Sequence, residues 1–508
     1  MRIIFNIISK YLVFGIIGAS VFLIFSKFAS FQLNTADSSI YLSTAENIAE
    51  HKGFVVSYNL CQCFNTLYHS IWAYYQPLYP VFASFFIDHG GIVQVIYVNI
   101  LIFALNAVLV FYIIQELMPT CFNLLFIVFL VLSSNFYLSS LYAWTEQLYF
   151  LCFLISFILF LKFKDHPWPL FWLGILNGIL MLLRVAHLYN FMAYIPVLFI
   201  GKDPFRLKLN RAVFFAGGFI LAYGSYQLFC LLSYHAFYPE YARPGANYGH
   251  ARFDKGIVYD LNKVGLQVSL GSMFTWQHLT YIGQHLRDFY RQMSIFILPA
   301  FFYYFLPNKK RLENGFIELC FFQAIFTILG YSLTFYWLTY SFDSVRYSMI
   351  PFVLISLAGW YCLYQGLSLS ESVGKKVVGT IILLTLIFPQ ADKFIGFKEN
   401  ITKNRPWQRP YFRDLQEGYG WINKNLPKDI LVASNEDQQG YFMHRPFIST
   451  PVGQSFNCAN LVLFNRIYSP DYYFLSSFLP DKCFSAIAHT TVFFNKTFRL
   501  YKVIKAGK

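Results

Sequence analysis

The sequence predicts a polytopic α-helical membrane protein with about eleven transmembrane helices, its N-terminus inside, its C-terminus outside and a small extracytoplasmic α/β domain at its C-terminal end. Composition supports this class, because 57% of the 508 residues are hydrophobic and only 13% are charged, whereas soluble domains average about 25% charged residues. Charge placement supports it too, because lysines and arginines cluster at alternate boundaries between apolar runs. The net charge of +14 therefore reflects basic residues in the predicted inner loops of a membrane protein. We expect no nucleic-acid partner.

About eleven apolar runs approach the length of about 20 residues that a helix needs to cross the hydrocarbon core. They lie near residues 8–30, 91–115, 120–141, 143–162, 167–184, 186–201, 211–236, 292–307, 313–340, 347–366 and 375–391. Arg2 and Lys10 place the N-terminus inside by the positive-inside rule. The inner loops then carry basic clusters such as Lys309, Lys310 and Arg311, and an odd number of spans places the C-terminus outside.

Three long segments fall outside the membrane in this topology: the loops at about 31–90 and 237–291, and a tail from about 392. We therefore divide the chain into a membrane module, 1–391, which includes both outer loops, and an extracytoplasmic α/β domain, 392–508. Loops of this length are uncommon as simple connectors and are often functional.

Within the tail, apolar residues recur at helical spacing over 411–426, and Pro427 follows where such a helix should end. Short apolar or alternating runs at 429–434, 490–494 and 498–504 predict strands. Cys458 and Cys483 lie in the same outer segment, and an oxidising compartment would permit a disulfide between them, which the sequence leaves open.

Ionisable residues at the outer ends of the spans are the candidate functional groups, because charged groups in membrane segments are costly and mark function more often than in soluble proteins. In the predicted topology the outer side carries both signs of charge: Asp37, Glu46, Glu146, Arg184, His187, Asp343 and Arg346. This convergence predicts a site at the outer membrane–water boundary.

Each of these residues also has a purely structural interpretation. Glu146 could cap a helix or pair with Arg184, and Arg184 could reach towards lipid headgroups. His187 could be a hydrogen-bonded packing residue. Asp343 and Arg346 could form an interfacial ion pair. Glu46 lies on the helix that should follow Asp37, and its side chain could simply be solvated.

Six short motifs occur in a fixed order along nearly the whole chain. They are Asp37, Tyr41 and Ala45 followed by Gly53-Phe54; Gln76-Pro77-Leu78-Tyr79; Thr145-Glu146; Gly174, Gly178 and Arg184; Arg346-Tyr347; and Trp421, Ile422, Asn425 and Pro427. This order resembles the GT-C class of integral-membrane glycosyltransferases, in the group that includes protein O-mannosyltransferases, lipid A aminoarabinose transferases and RgtA/B/C/D-like transferases. Ser38 stands where many members have a second acidic residue, and Gln76 replaces the first proline of a Pro-Pro pair.

The resemblance implies that a sugar moves from a polyprenyl-phosphate donor to a glycan, lipid or protein acceptor at the outer face, with inversion at the anomeric carbon. It implies Asp37 as the general base, and Arg346 and Arg184 as ligands of the donor phosphate. Further substrate contacts fall to Tyr41, Glu146, His187, Tyr79 and Tyr347. No cofactor is required by the motifs; a divalent metal remains open, although no metal-binding spacing is present in the sequence. We expect a multi-pass protein of the bacterial inner membrane that is surrounded by membrane lipids.

Three other functions stay open at this point. A transporter of a lipid-linked or small polar solute would place charges near the bilayer midplane and would show inverted repeats. An O-antigen-type ligase or polymerase would use an arginine-rich outer loop, and the 237–291 loop contains Arg243, Arg252, Arg287 and Arg291. A non-catalytic assembly subunit or sensor would not need Asp37.

Overall fold

The computed structural model describes most of the chain. The described residues are 2–29, 36–56, 58–59, 71–72, 76–200, 202–234, 287, 316–334, 349–368, 373–403, 410–434, 442–449, 465–466, 469–476 and 487–504. Within the described ranges, the principal helices are α1 (Arg2–Ser26), α2 (Ala36–Ala49), α3 (Leu78–Ile114), α4 (Thr120–Leu132), α5 (Ser134–Tyr137), α6 (Glu146–Phe163), α7 (Pro167–Leu180), α8 (His187–Leu198), α9 (Phe205–Tyr234), α10 (Phe316–Thr334), α11 (Met349–Ser368), α12 (Val373–Lys403) and α13 (Pro410–Asn425).

Among the described residues, three helical stretches are long and apolar enough to span a membrane by themselves: Gly91–Ile114, Glu146–Phe163 and Phe205–Leu232. A fourth span arises if α4 is counted together with the bent segment Ser134–Ser140. Five shorter apolar helices accompany them: Tyr11–Ser26, Leu78–Ile87, Pro167–Leu180, Phe316–Gly330 and Met349–Gln365. The chain is thus an integral, polytopic helical membrane protein, while the count of eleven spans and the orientation of the termini remain predictions.

Several helix bounds differ from the apolar runs in the sequence. The run at 120–141 is broken, because Ser133 adopts an extended backbone with ψ 128° and the two helical pieces meet at 68°. The run at 143–162 begins to form a helix only at Glu146, and the run at 167–184 ends its helix at Leu180. Hydropathy identifies apolar runs, but it does not predict the backbone conformation that breaks or ends a helix within a run.

Two helices also extend beyond the predicted boundaries of the membrane module. Helix α3 begins at Leu78, inside the predicted outer loop 31–90, and runs for 37 residues. Helix α12 continues from Val373 through the predicted boundary at residue 391 to Lys403. The rings of Phe394 and Phe397 on this extension lie 5.3 and 5.2 Å from the ring of Tyr137, so the extension is packed against the bundle.

Helices α7 and α9 pack unusually closely, and glycines make this approach possible. A Cβ atom on Gly174 would stand 2.1 Å from the carbonyl oxygen of Phe215, and one on Gly218 would stand 2.0 Å from that of Phe171. Small residues let helix backbones approach each other in membranes. The Gly174 and Gly178 motif therefore has a packing reason, since a Cβ on Gly178 would stand 2.7 Å from that of Ala222.

A six-stranded mixed sheet combines five strands of the tail with one strand from the first predicted outer loop. Its strands are β2 (Tyr58–Asn59), β4 (Val432–Ser434), β5 (Phe447–Ser449), β6 (Tyr472–Ser476), β7 (His489–Phe494) and β8 (Phe498–Val503), in the spatial order β2-β5-β4-β6-β8-β7. The first four strands of this order pair in parallel, and the last three pair antiparallel. A separate antiparallel pair joins β1 (Val55–Val56) to β3 (Ile71–Trp72).

The sequence locates part of this sheet correctly. Strands β4, β7 and β8 form where short apolar or alternating runs predict them, and α13 packs Leu415, Tyr419 and Ile422 into the core of the sheet, as its helical periodicity predicts. Strands β5 and β6 were not predicted. The extent of the tail as a separate domain and its place outside the membrane remain predictions.

Helix α2 lies between the helical bundle and this sheet. Its residues Tyr41, Leu42 and Ala45 are buried in the core of the bundle, whereas Ile40 is buried in the core of the sheet. Strand β2, which follows α2 in the chain, pairs with β5 of the tail. The first predicted outer loop and the tail therefore build one continuous structure.

Candidate active site

A buried ion pair marks the candidate site. Glu146 is the first residue of α6, and its side chain is only 1% exposed. Arg184 lies in the turn between α7 and α8, with its side chain 11% exposed. Its guanidinium Nη1 donates to the Glu146 carboxylate and lies 3.3 Å from the hydroxyl oxygen of Thr145. The pairing of these two side chains, which the sequence left as one alternative, is thus confirmed.

Local structure explains how the two charges come to face each other. A carboxylate in the first turn of a helix is favoured by the unsatisfied N–H groups there, and Glu146 occupies that turn of α6. Helix α7 ends at Leu180. The backbone hydrogen bonds of the turn that follows include those from Arg184 N–H to the Leu180 carbonyl at 3.1 Å and from His187 N–H to the Arg184 carbonyl at 3.0 Å. The turn thus holds the arginine backbone in a defined conformation.

Tyr79 and Tyr41 lie beside this pair. The Tyr79 ring is fully buried, its hydroxyl accepts a hydrogen bond of 3.0 Å from Asn99 Nδ2, and Tyr41 packs edge-on against it with ring centroids 5.1 Å apart. Asn99 Nδ2 also donates to the Tyr142 carbonyl at 2.7 Å, in the segment that leads to Glu146. The structure therefore brings together four predicted site residues, Tyr41, Tyr79, Glu146 and Arg184.

The start of α3 is also tied directly to the turn that carries Arg184. The Leu78 N–H donates to the Leu182 carbonyl at 3.1 Å. This bond explains why the Gln76-Pro77-Leu78-Tyr79 motif and the Arg184 motif, about a hundred residues apart in sequence, contribute to one site. Proline at 77 suits the position before α3, since the first N–H groups of a helix lack partners within it.

Asp37 lies in the first turn of α2, and its side chain is outside the described residues. Four residues, or about one helical turn of 5.4 Å, separate it from Tyr41, whose ring contacts Tyr79. The backbone therefore places Asp37 on the helix that borders the site. Its catalytic role stays a prediction.

His187 lies inside the helical bundle, and its predicted substrate contact stays a prediction. It is fully buried, and both ring nitrogens have partners: Nδ1 is 3.0 Å from the Tyr149 hydroxyl, and Nε2 is 2.8 Å from Asn177 Oδ1. Asn190 Nδ2 donates to the same Tyr149 hydroxyl at 2.6 Å. Asn99, Tyr149, Asn177 and Asn190 were missed by the sequence reasoning, although polar residues inside apolar spans were a usable signal.

Of the remaining predicted residues, Glu46 is described, and its carboxylate lies 3.3 Å from His444 Nδ1. The others lie outside the described part of the chain. These are Arg346, Tyr347, Asp343, the loop 237–291 except Arg287, and the possible Cys458–Cys483 pair. Within the described ranges, no group of three or more histidine, cysteine, aspartate or glutamate side chains could hold a metal ion. The described site therefore offers one carboxylate, Glu146, which is already paired with an arginine.

Comparison with solved structures shows which known proteins have a similar fold. The chain is similar to the crystal structure of ArnT from Cupriavidus metallidurans bound to undecaprenyl phosphate, with a TM-score of 0.53, 10% identity and 97% of each chain covered. It is also similar to the cryo-EM structure of the arabinofuranosyltransferase AftD from Mycobacteria, with a TM-score of 0.52 and 11% identity. That match covers 97% of this chain and 40% of AftD.

No protein-family model matches the sequence. No curated protein matches it either. At 10% and 11% identity, the two structural matches concern the fold. They cover nearly the whole chain and belong to membrane glycosyltransferases of the class that the ordered motifs resemble. The chain therefore has the fold of these GT-C glycosyltransferases, which confirms the resemblance at the level of the fold.

Proposed function

We propose that this protein is a glycosyltransferase that moves a sugar from a polyprenyl-phosphate donor to a glycan, lipid or protein acceptor. One observation carries the proposal: a nearly buried arginine, Arg184, is held against Glu146 beside α2 and α3, in a chain with the fold of an enzyme whose structure contains undecaprenyl phosphate. Arginine suits a phosphate ligand because its planar donors can grip two oxygens at once.

The proposed reaction is a single displacement. An acceptor hydroxyl oxygen forms a bond to the anomeric carbon, and the bond between that carbon and the lipid phosphate oxygen breaks. The electron pair leaves with the phosphate, and the acceptor proton passes to Asp37 as general base. Attack from the face opposite the leaving group inverts the anomeric centre. Arg184 and Arg346 stabilise the negative charge that develops on the phosphate.

The other predicted residues shape the site around this step. Tyr41 and Tyr79 form an aromatic wall next to the ion pair. Glu146 keeps the Arg184 guanidinium in place before the donor arrives. Tyr347, next to Arg346 in the sequence, is proposed as a further substrate contact. His187 acts from within the bundle, because its ring is fully buried. A divalent metal stays open, and no step above depends on one.

We further propose that the protein lies in a bacterial inner membrane with its active site on the outer side. The alternating lysine and arginine clusters support this orientation. In this arrangement the lipid tail of the donor stays in the bilayer, its phosphate meets Arg184 at the membrane surface, and the tail domain borders the same side through α2.

The test is a transfer assay with purified protein. Wild type and Asp37→Asn are each incubated with a panel of radiolabelled polyprenyl-phosphate sugars and a cell-envelope extract, and label leaving the lipid fraction is followed. We expect release by wild type from one donor of the panel. In Asp37→Asn we expect a fall of about 10³-fold, within the range of general-base loss.

The matched control is Glu50→Gln, which also removes one carboxylate charge near α2 but from an exposed pair with Lys52. It should retain wild-type release. Equal release by wild type and Asp37→Asn would remove Asp37 as the base. Absence of release by wild type from every donor would contradict the proposed function.

A further inference from the structure

We propose that Tyr149, His187 and Asn177 form a positioning unit that fixes Arg184 against Glu146. The inference rests on the proposed function, in which Arg184 binds the donor phosphate. None of the three side chains needs to touch the substrate. Their role is to set the distance and angle between a carboxylate at the start of α6 and a guanidinium in the turn between α7 and α8.

The first step of the argument concerns the turn that carries Arg184. Asn177 lies near the end of α7 and His187 begins α8, so the two residues flank this turn. The Asn177 Oδ1 and His187 Nε2 atoms are 2.8 Å apart. This hydrogen bond closes the turn at the side-chain level, in addition to the backbone bond from His187 N–H to the Arg184 carbonyl.

The second step links this turn to the helix that carries Glu146. Tyr149 stands three residues after Glu146, on the next turn of α6. Its hydroxyl is 3.0 Å from His187 Nδ1. The buried His187 imidazole therefore links α6, which carries Glu146, to the end of α7, which precedes the Arg184 turn. Its Nδ1 contacts Tyr149 on α6, and its Nε2 contacts Asn177 on α7.

The third step is that neighbouring hydrogen bonds fix the direction of each contact. Asn177 Nδ2 donates to the Leu173 carbonyl at 2.7 Å, so Asn177 turns its oxygen to the imidazole, and His187 must carry its proton on Nε2. His187 Nδ1 then accepts from the Tyr149 hydroxyl, which itself accepts from Asn190 Nδ2 at 2.6 Å. For a neutral imidazole, this arrangement of protons gives both ring nitrogens a hydrogen-bond partner.

The unit is also anchored to a fourth helix. Thr327 Oγ1 on α10 donates to Asn190 Oδ1 at 2.7 Å, and Gln323 Nε2 donates to the Asn190 carbonyl at 2.9 Å. Helices α6, α7 and α8 therefore meet at the imidazole and its two partners, and α10 is joined to them through Asn190. Hydrogen bonds in a low-dielectric interior are electrostatically stronger than in water, and catalytic groups need support to within about 0.5 Å.

The experiment compares two buried tyrosines that lose only a hydroxyl. Tyr149→Phe removes the contact to His187 Nδ1. Tyr194→Phe removes a hydroxyl 3.3 Å from Ser156 Oγ, at the far end of the same polar region. We expect Tyr149→Phe to lower kcat for sugar transfer about tenfold, within the loss of about 10²-fold that a 1 Å misplacement can cause, and to weaken binding of sugar-free undecaprenyl phosphate. Tyr194→Phe should change both by less than about twofold.

A double variant separates positioning from general loss of structure. If Tyr149 acts through Arg184, then Tyr149→Phe should lower kcat no further once Arg184→Gln is in place. Equal effects of the two tyrosine substitutions, or full additivity with Arg184→Gln, would overturn the proposal. If wild type neither transfers a sugar nor binds undecaprenyl phosphate, the proposed function fails and the positioning role fails with it. An active wild type with an unaffected Tyr149→Phe refutes the positioning role alone.

Discussion

The Glu146–Arg184 pair should be strongly coupled in stability, because both side chains are almost entirely withdrawn from water. Removing one partner of a buried ion pair leaves the other charge uncompensated and costs about 3–5 kcal/mol. Arg184 keeps 11% exposure and can turn towards solvent, so Glu146→Gln should cost about 3 kcal/mol. Glu146 keeps only 1%, so Arg184→Gln should cost more, about 4 kcal/mol.

The double variant Arg184→Gln/Glu146→Gln carries no charge, and two amides can hydrogen-bond each other. We therefore expect it to cost no more than the worse single variant, about 4 kcal/mol, which gives a coupling energy of about 3 kcal/mol. The measurement is the free energy of unfolding from a denaturant titration in mixed micelles, for wild type and the three variants. Lys52→Gln/Glu50→Gln is the control cycle, since that pair is exposed and should couple by less than about 1 kcal/mol.

Additive costs for Arg184→Gln and Glu146→Gln would refute this reasoning. Single costs below about 0.5 kcal/mol would do the same, because surface substitutions away from special features fall in that range. Either result would mean that water reaches the pair. The preorganised arginine on which the proposed function depends would then be absent.

Three further predictions follow from packing and hydrogen bonding. Gly218→Ala should destabilise the protein, because the added Cβ would stand 2.0 Å from the Phe171 carbonyl oxygen. Gly217→Ala is the control and should not destabilise it, because a Cβ there meets nothing within 4 Å. The measurement is the free energy of unfolding of both variants in micelles. Asn495→Ala should cost about 1–3 kcal/mol and speed amide exchange in β8, since Asn495 accepts from the amides of residues 497 and 498. Ile40→Ala, in the sheet core, should cost about 2–5 kcal/mol and raise protease cleavage of the tail, and an unchanged cleavage rate would contradict this.

Part of the site could be predicted from the sequence, because charged side chains are unusual next to long apolar runs. Glu146 and Arg184 stand out as charges at the ends of apolar runs, and the structure pairs them. The resemblance of the motifs predicts Tyr41 and Tyr79 as site residues, and their rings are in contact. For His187 a substrate contact and a packing role are both compatible with the sequence, and its burial with two bonded nitrogens fits the packing role.

Other parts of the site were not predictable, because hydropathy treats each apolar run as uniform. The break at Ser133 depends on one extended residue. The role of Asn99 depends on partners from two distant segments: its Nδ2 donates to the Tyr79 hydroxyl at 3.0 Å and to the Tyr142 carbonyl at 2.7 Å. A buried amide has no periodic signature in the sequence, since its partners are chosen by the packing of helices.

The sequence by itself determined the class of the protein and the chemistry available to it. Long apolar runs require helices in a bilayer, because backbone polar groups must be satisfied within each segment, and the ordered motifs indicate the GT-C fold. Tertiary structure alone decided which distant groups meet. Strand β2 joined the tail sheet, α2 came to lie between two cores, and one imidazole linked α6 to α7. Such contacts depend on distances between helices, which close packing fixes and composition does not.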